Sequence, residues 1–332
     1  MEAFLIGVDL GGSNLRVGAF TILGERLGLL AFATNAAAGP ASVLDAMCEA
    51  IRKLHAEFSP EREFLGVGIG SPGPLSLPDG VLHNPPNLPG WDGVSLSEEL
   101  AARLPWPVWV NSDANVAALA ESRLGAGAEF GLDSLCMITL GTGVGGGIVL
   151  GGQLWSGANG AAGEVGHGPL LLDGPPCNCG ARGCLELYAS ATGVVRFARE
   201  FGVEVGADGE LSAARIAELA AAGDAKAQKI YIQTGYALGL ALANLVNTLN
   251  LPLYTIGGGV SAAWDLFAPK MFETLAEQSY VYRMAQPIDP SRYEPGKTHI
   301  CRARLGSDAG LLGAAMLPLA NAASGAVEKS MS

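Results

Sequence analysis

The sequence predicts an α/β architecture made of two similar halves, and three observations carry that reading. Each half opens with a strand, a glycine turn and a second strand, over residues 3–22 and 134–150. Helical and strand periodicities then alternate through the remainder of each half. The chain has 332 residues, 49% of them hydrophobic and only 16% charged. That is enough for two domains with real cores, and too apolar and sparsely charged for disorder. Two such halves with a cleft between them suit a hinged ligand-binding enzyme.

In order, residues 3–9 (FLIGVDL) form a strand, Gly11 and Gly12 a tight turn, and residues 15–22 and 27–33 two more strands. Residues 41–57 place Val43, Leu44, Met47, Ile51 and Leu54 on one helical face. A strand at 64–70 precedes a loop rich in Pro and Gly from Ser71 to Gly93. Ser95 and Glu98 have capping-box spacing ahead of a short helix. A strand at 107–110 leads into a helix at 113–124, with Gly125 expected at its C′ position. The second half restarts with a strand at 134–140, glycine turns and a strand at 147–150, after which residues 151–190 are irregular. Helices at about 211–222 and 224–249, a strand at 253–256, a glycine turn, a helix at 262–278, a strand at 298–305 and a helix at 308–320 complete it.

The net charge is −12. Such a surface repels phosphate backbones, so neither nucleic acid nor an anionic membrane is expected as a partner, and a phosphate site must rely on strong local donors. Six cysteines in a chain this long do not form a disulfide framework. Cys48, Cys136 and Cys301 sit singly in apolar runs as buried thiols, whereas Cys177, Cys179 and Cys184 cluster. The chain opens directly into a strand pattern, with no basic leader or cleavage site. Residues 230–264 carry no charge, but Gln233, Thr234, Asn244, Asn247, Thr248 and Asn250 interrupt them and Pro252 follows, so they read as a buried helix and a strand. A soluble, cytoplasmic protein is expected. Glycine is used about twice as often as is typical, at 47 residues, and fifteen of these lie between Gly141 and Gly183.

The glycine turns carry the first chemistry. Asp9-Leu10-Gly11-Gly12-Ser13-Asn14 joins two strands. Glycine lets backbone N–H groups approach an oxyanion, Ser13 adds a hydroxyl, and Asp9 at the strand end can hold Mg²⁺; an ordinary hairpin with a solvated Asp is the bland alternative. Gly141-Thr142-Gly143-Val144-Gly145-Gly146-Gly147 contains G-x-G-x-x-G, but a strand follows it, where a dinucleotide fold needs a helix. A second phosphate clamp fits better, and no P-loop motif occurs. Gly257-Gly258-Gly259 between a strand and a helix can admit an adenosine moiety or serve as a plain turn.

His167, Cys177, Cys179 and Cys184 put four soft or borderline ligands within 18 residues. A closed His-Cys₃ set suits a structural, tetrahedral Zn²⁺ and leaves no position open for a catalytic one. Asp113, between a strand and a helix, can be an N-cap or a base at the mouth of a parallel sheet. If His167 and Cys184 share a zinc, Glu164 and Glu186 come near each other, an arrangement suited to sugar hydroxyls.

Together these stretches resemble the ROK family within the actin-like ATPase superfamily: DLGGSNLR at 9–16, GIGSPGPL at 68–75, PPNLPGW at 85–91, SDAN at 112–115, GTGVGGG at 141–147, GEVGH at 163–167, CNCGARGCLE at 177–186, GGGV at 257–260 and SDAGLLGAA at 307–315. The resemblance implies duplicated actin-like (ribonuclease H-like) domains: a smaller one over 1–115, completed by a C-terminal helix at 308–325, and a larger one over 116–307 with a zinc loop at 163–186. It implies ATP and Mg²⁺ bound by Asp9, Gly11, Gly12, Ser13, Gly141, Thr142, Gly143, Gly258 and Gly259. Asp113 takes the role of general base, with Asn87, Ser112, Glu164, His167 and Glu186 as sugar contacts. His167 then has one ring nitrogen on zinc and the other toward a hydroxyl. The implied reaction is phosphorylation of a hexose at its 6-hydroxyl, glucose first because PPNLPGW is of the glucokinase type. Kinases for N-acetylglucosamine, N-acetylmannosamine, mannose, fructose or allose are the alternatives, and a sugar-responsive repressor is disfavoured because Asp9 leaves no room for a preceding DNA-binding domain. The family Asn before Asp113 is here Ser112, which leaves the hydroxyl it would contact to water or to Asn111. A homo-oligomer, dimer or tetramer, is expected, with the uncharged helix at 230–249 as a candidate interface.

Overall fold

A computed structural model describes residues 2–204, 210–290 and 292–331, with side chains described through Ala322. The strands are β1 (Ala3–Leu10), β2 (Asn14–Thr21), β3 (Arg26–Ala33), β4 (Glu63–Ser71), β5 (Leu75–Ser76), β6 (Val81–Leu82), β7 (Val108–Ser112), β8 (Leu135–Leu140), β9 (Val144–Leu150), β10 (Gln153–Leu154), β11 (Leu253–Gly257) and β12 (His299–Arg302). The helices are α1 (Pro40–Phe58), α2 (Leu96–Ala101), α3 (Asp113–Arg123), α4 (Ala126–Phe130), α5 (Glu186–Ala189), α6 (Ala191–Glu200), α7 (Ala213–Ala221), α8 (Ala225–Leu249), α9 (Trp264–Gln278), α10 (Tyr280–Ala285) and α11 (Ala309–Met331). Among the described residues no helix is long and apolar enough to cross a membrane.

The duplication is plain in strand order. One sheet runs β3-β2-β1-β4-β7 and the other β10-β9-β8-β11-β12, so each opens with an antiparallel hairpin and continues with parallel strands. The chain divides into two compact units, the first of residues 1–134, 147–163 and 307–332 and the second of 135–146 and 164–306. Residues 116–134 thus group with the first unit rather than the second, because α3 packs against α11 through Val116, Leu119, Leu311 and Leu317. On the other face of the first sheet, Phe4, Ile6 and Val8 meet Val43, Leu44, Met47, Ile51 and Leu54 of α1, the helical face the spacing predicts. Alternation along β1 is what supplies both cores from one strand.

Several local expectations are corrected. Gly125 does not close α3 in the left-handed region; it has φ −107° and opens α4, whose Ala126 N–H is taken by the buried Glu121 carboxylate at 3.1 Å. Ser95 caps α2 by accepting from Glu98 N–H at 3.3 Å, as the motif predicts. Four short helices, α4, α5, α6 and α10, lie where no helix is expected, α5 within the stretch 151–190 read as irregular. None of the six cysteines is in a disulfide; Cys48 and Cys136 are buried, but Cys301 is half-buried.

Candidate active site

In the first unit, Asp9 near the C-terminal end of β1 faces Arg16 directly across the β1–β2 ladder. The Arg16 Nε and Nη2 donate to one oxygen, Asp9 Oδ2, at 3.0 and 2.6 Å. Nη2 also donates to the Ser307 carbonyl at 2.6 Å and Nη1 to Asp308 Oδ1 at 3.3 Å. Arg16 was not singled out in the sequence, although a hairpin with a two-glycine turn already pairs it with Asp9. The donor chemistry fits Mg²⁺: a hard cation takes one carboxylate oxygen and completes its shell with water and phosphate, and Oδ1 of Asp9 is the oxygen that Arg16 does not engage. Gly11 N–H donates to Asn14 C=O at 2.9 Å, and the Thr34 hydroxyl donates to Gly11 C=O at 2.6 Å.

The parallel register Asp9↔Gly70 and Gly70↔Asn111 sets the ends of β1, β4 and β7 level. Asp113 follows two residues on, at the C-terminal ends of parallel strands, where α/β sheets bind ligands. It is not the cap. Ser112 is the N-cap of α3, its hydroxyl accepting from Asn115 N–H at 3.2 Å, and Asp113 is the first helical residue, with Oδ1 accepting from Ala114 N–H at 2.7 Å. Asn111 does not stand in for the family Asn through its oxygen: Oδ1 accepts from Ser112 N–H at 2.9 Å and Asn115 Nδ2 at 2.8 Å. Removing the cap in Ser112→Ala should cost about 1 kcal/mol in denaturant unfolding, whereas Ser112→Asn, which also caps, should leave stability within about 0.5 kcal/mol. Asn87 is exposed on the loop after β6 and lies against Gly12, and the fully buried Leu88 and Trp91 that follow it anchor the loop in the core of the first unit.

In the second unit, the seven-residue glycine run is not one long clamp. β9 begins at Val144, so only Gly141-Thr142-Gly143 turns, closed by Gly141 N–H to Gly143 C=O at 2.9 Å. Gly147 belongs to the strand because a Cβ there would meet the Ala118 Cβ at 2.7 Å and the Ala114 carbonyl at 2.9 Å on α3. Val144 N–H donates to Glu186 Oε2 at 3.1 Å, and a Cβ on Gly143 would collide with that same oxygen. Gly258 leaves β11 with φ +83° against Leu140, the last residue of β8, and Gly259 opens a 3₁₀ turn into α9. The turn after β11 therefore sits beside the turn after β8.

The cysteine loop gathers its ligands. His167 Nδ1 lies 3.8 Å from Cys177 Sγ, Cys179 Sγ lies 3.7 Å from Cys184 Sγ, and all four ligand atoms fall within 4.8 Å of one another. Edges of about 3.6–3.8 Å are what a tetrahedron with zinc bond lengths requires, so the group fits Zn²⁺. Burial and the neighbouring thiols push Cys184 up to about 12, a cost that a coordinated cation removes. Because Nδ1 faces the thiols, Nε2 is the nitrogen left for a substrate. Glu164 precedes this loop and is exposed, whereas Glu186 follows it and is half-buried.

A family model described as the ROK family matches residues 5–321. A glucokinase of Halalkalibacterium halodurans is 35% identical over 327 residues, covering 95% of each chain. An N-acetylmannosamine kinase of Escherichia coli is 30% identical over 314 residues, covering 94% of this chain and 97% of that protein. Among solved structures, a ROK hexokinase from Thermus thermophilus superposes with a TM-score of 0.81 at 32% identity, covering 97% of this chain and 99% of its own. A ROK family glucokinase from Streptomyces griseus, in complex with glucose and AMPPNP, superposes with a TM-score of 0.75 at 31% identity, covering 95% and 99%.

Proposed function

Because the chain belongs to the ROK family and carries its actin-like ATPase fold, we propose that it is a sugar kinase transferring the γ-phosphoryl group of ATP to the 6-hydroxyl of a hexose, glucose before others. The observation that carries this reading is the placement of Asp113 just beyond the end of β7, two residues past Asn111, which the register sets level with Asp9 near the end of β1. One carboxylate serves the proton and the other the phosphates.

The bond from Pγ to the ADP oxygen breaks as the bond from Pγ to O6 forms. The O6 proton passes to the Asp113 carboxylate, and ADP leaves. Phosphoryl transfer is catalysed mostly by positioning and charge stabilisation, so Asp113 orients the hydroxyl more than it attacks it. Within the first unit, Gly11, Gly12 and Ser13 offer donors to phosphate, Asn87 faces the sugar, and Asp9 would hold Mg²⁺, which would supply positive charge against the phosphates. Within the second, Thr142 and Gly143 donate to phosphate, Gly258 and Gly259 flank adenosine, and Glu164, His167 and Glu186 take sugar hydroxyls. The Cys177, Cys179 and Cys184 thiolates and His167 Nδ1 would hold a structural Zn²⁺, which would fix the ring of His167.

A second reading is a kinase for an N-acetylated hexosamine. It is favoured by Ser112, which leaves more room than Asn, and by relatives named N-acetylmannosamine kinase. An ADP-release assay across glucose, mannose, fructose, allose, N-acetylglucosamine and N-acetylmannosamine separates the two. Glucose should lead in kcat/KM, and an N-acetylated sugar far above glucose would overturn the first reading.

A further inference from the structure

A feature shared by the two glycine turns lies outside every motif. In each turn one backbone carbonyl receives the hydroxyl of a threonine from beyond the hairpin. Thr34 Oγ1 donates to Gly11 C=O at 2.6 Å, and Thr192 Oγ1 donates to Thr142 C=O at 2.8 Å. In the second turn the backbone adds a parallel contact, Ala191 N–H to Gly141 C=O at 2.8 Å. The peptide unit is planar and trans, so fixing a carbonyl on one side fixes the next residue's N–H on the opposite side. Thr34 therefore aims the Gly12 N–H, Thr192 the Gly143 N–H, and Ala191 the Thr142 N–H. Among the described residues these three N–H groups have no protein acceptor.

A glycine turn needs such pins more than other loops do. Without side chains its peptide planes rotate easily, and a flipped plane would present a carbonyl oxygen to an anion instead of a donor. We propose that Thr34 and Thr192 are paired positioning residues that hold the two turns with their N–H groups toward the ATP phosphates; this rests on the phosphate-binding reading above. The two halves reach the same end differently. In the first, β3 is eight residues long and Thr34 stands just beyond its end. In the second the corresponding strand, β10, is only two residues long, and the first turn of α6 supplies the pin instead.

Calorimetric titration with Mg²⁺·AMPPNP and, separately, with adenosine tests this on Thr192→Val, Thr192→Ser and Thr34→Val. Thr192 is exposed, so its variants should fold even if buried Thr34 tolerates change poorly. Thr192→Val should weaken AMPPNP binding about fivefold, the loss of one hydrogen bond, and leave adenosine affinity, zinc content and hexose KM unchanged. Thr192→Ser, which keeps the donor, should return AMPPNP affinity to within about twofold of the wild type. Wild-type AMPPNP affinity in Thr192→Val, or an equal loss for adenosine, overturns the proposal while the phosphate reading stands. If the wild-type protein itself binds AMPPNP no tighter than adenosine, the phosphate reading has failed and the pins fail with it.

Discussion

Replacing Asp113 with alanine is expected to lower kcat by about 10²–10⁴-fold while hexose affinity changes by no more than a few-fold. A group that orients the reacting hydroxyl and takes its proton acts mainly in the transition state, so its loss falls on kcat more than on binding. Ser112 caps α3, so the Asn115 N–H keeps its acceptor in the variant and only the Ala114 N–H loses the Asp113 carboxylate. Steady-state kinetics paired with calorimetric hexose titration provides the check. A near-normal kcat in Asp113→Ala would remove Asp113 from its role and leave the proposed proton transfer without an acceptor at the end of β7.

The second large effect is expected from the cysteine loop. Cys179→Ala should bring zinc, measured by native mass spectrometry, from about one per chain to near zero, because three ligands hold a structural zinc far less tightly than four. Losing the cross-link should lower Tm by about 5–10 °C, equivalent to a few kcal/mol in a chain of this size. The hexose KM should rise by about tenfold or more, because His167 Nδ1 faces the Cys177 thiol at 3.8 Å and the ring loses its anchor with the metal. Adenosine affinity should change little, since Gly258 and Gly259 stand on β11 and the following turn. Freshly purified wild-type protein without zinc would overturn the structural-site assignment.

Much of the fold was legible because its signals are local. The short apolar run of β1 and the 3.6-residue spacing in α1 predict both elements within a residue or two of their observed ends. The glycine turn at Gly11 and the ligand spacing in the cysteine loop were equally plain. Other elements hid for identifiable reasons. α6 carries a Ser190 cap and buries Val194, Phe197 and Ala198, yet it starts one residue after the four-residue α5 and opens with Ala-Thr-Gly. β9 starts at Val144 because sheet pairing and the close approach of α3 override the low strand propensity of three glycines. Asp113 reads as a cap by residue type, and only the backbone geometry assigns the cap to Ser112.

By itself, the sequence determined the duplicated strand–turn–strand opening, the long helices α1, α3, α8 and α9, the two glycine turns and the residues able to hold zinc, because each is written in a short stretch of chain. Tertiary structure alone decided which groups serve those turns: Arg16 reaching Asp308 across 292 positions, Glu186 reaching Val144 across 42 and Thr192 reaching Thr142 across 50. The physical reason is that periodicity and capping are written in local backbone preference. A hydrogen bond between distant segments forms only after sheets and helices have packed, so nothing in the local pattern of either segment announces it.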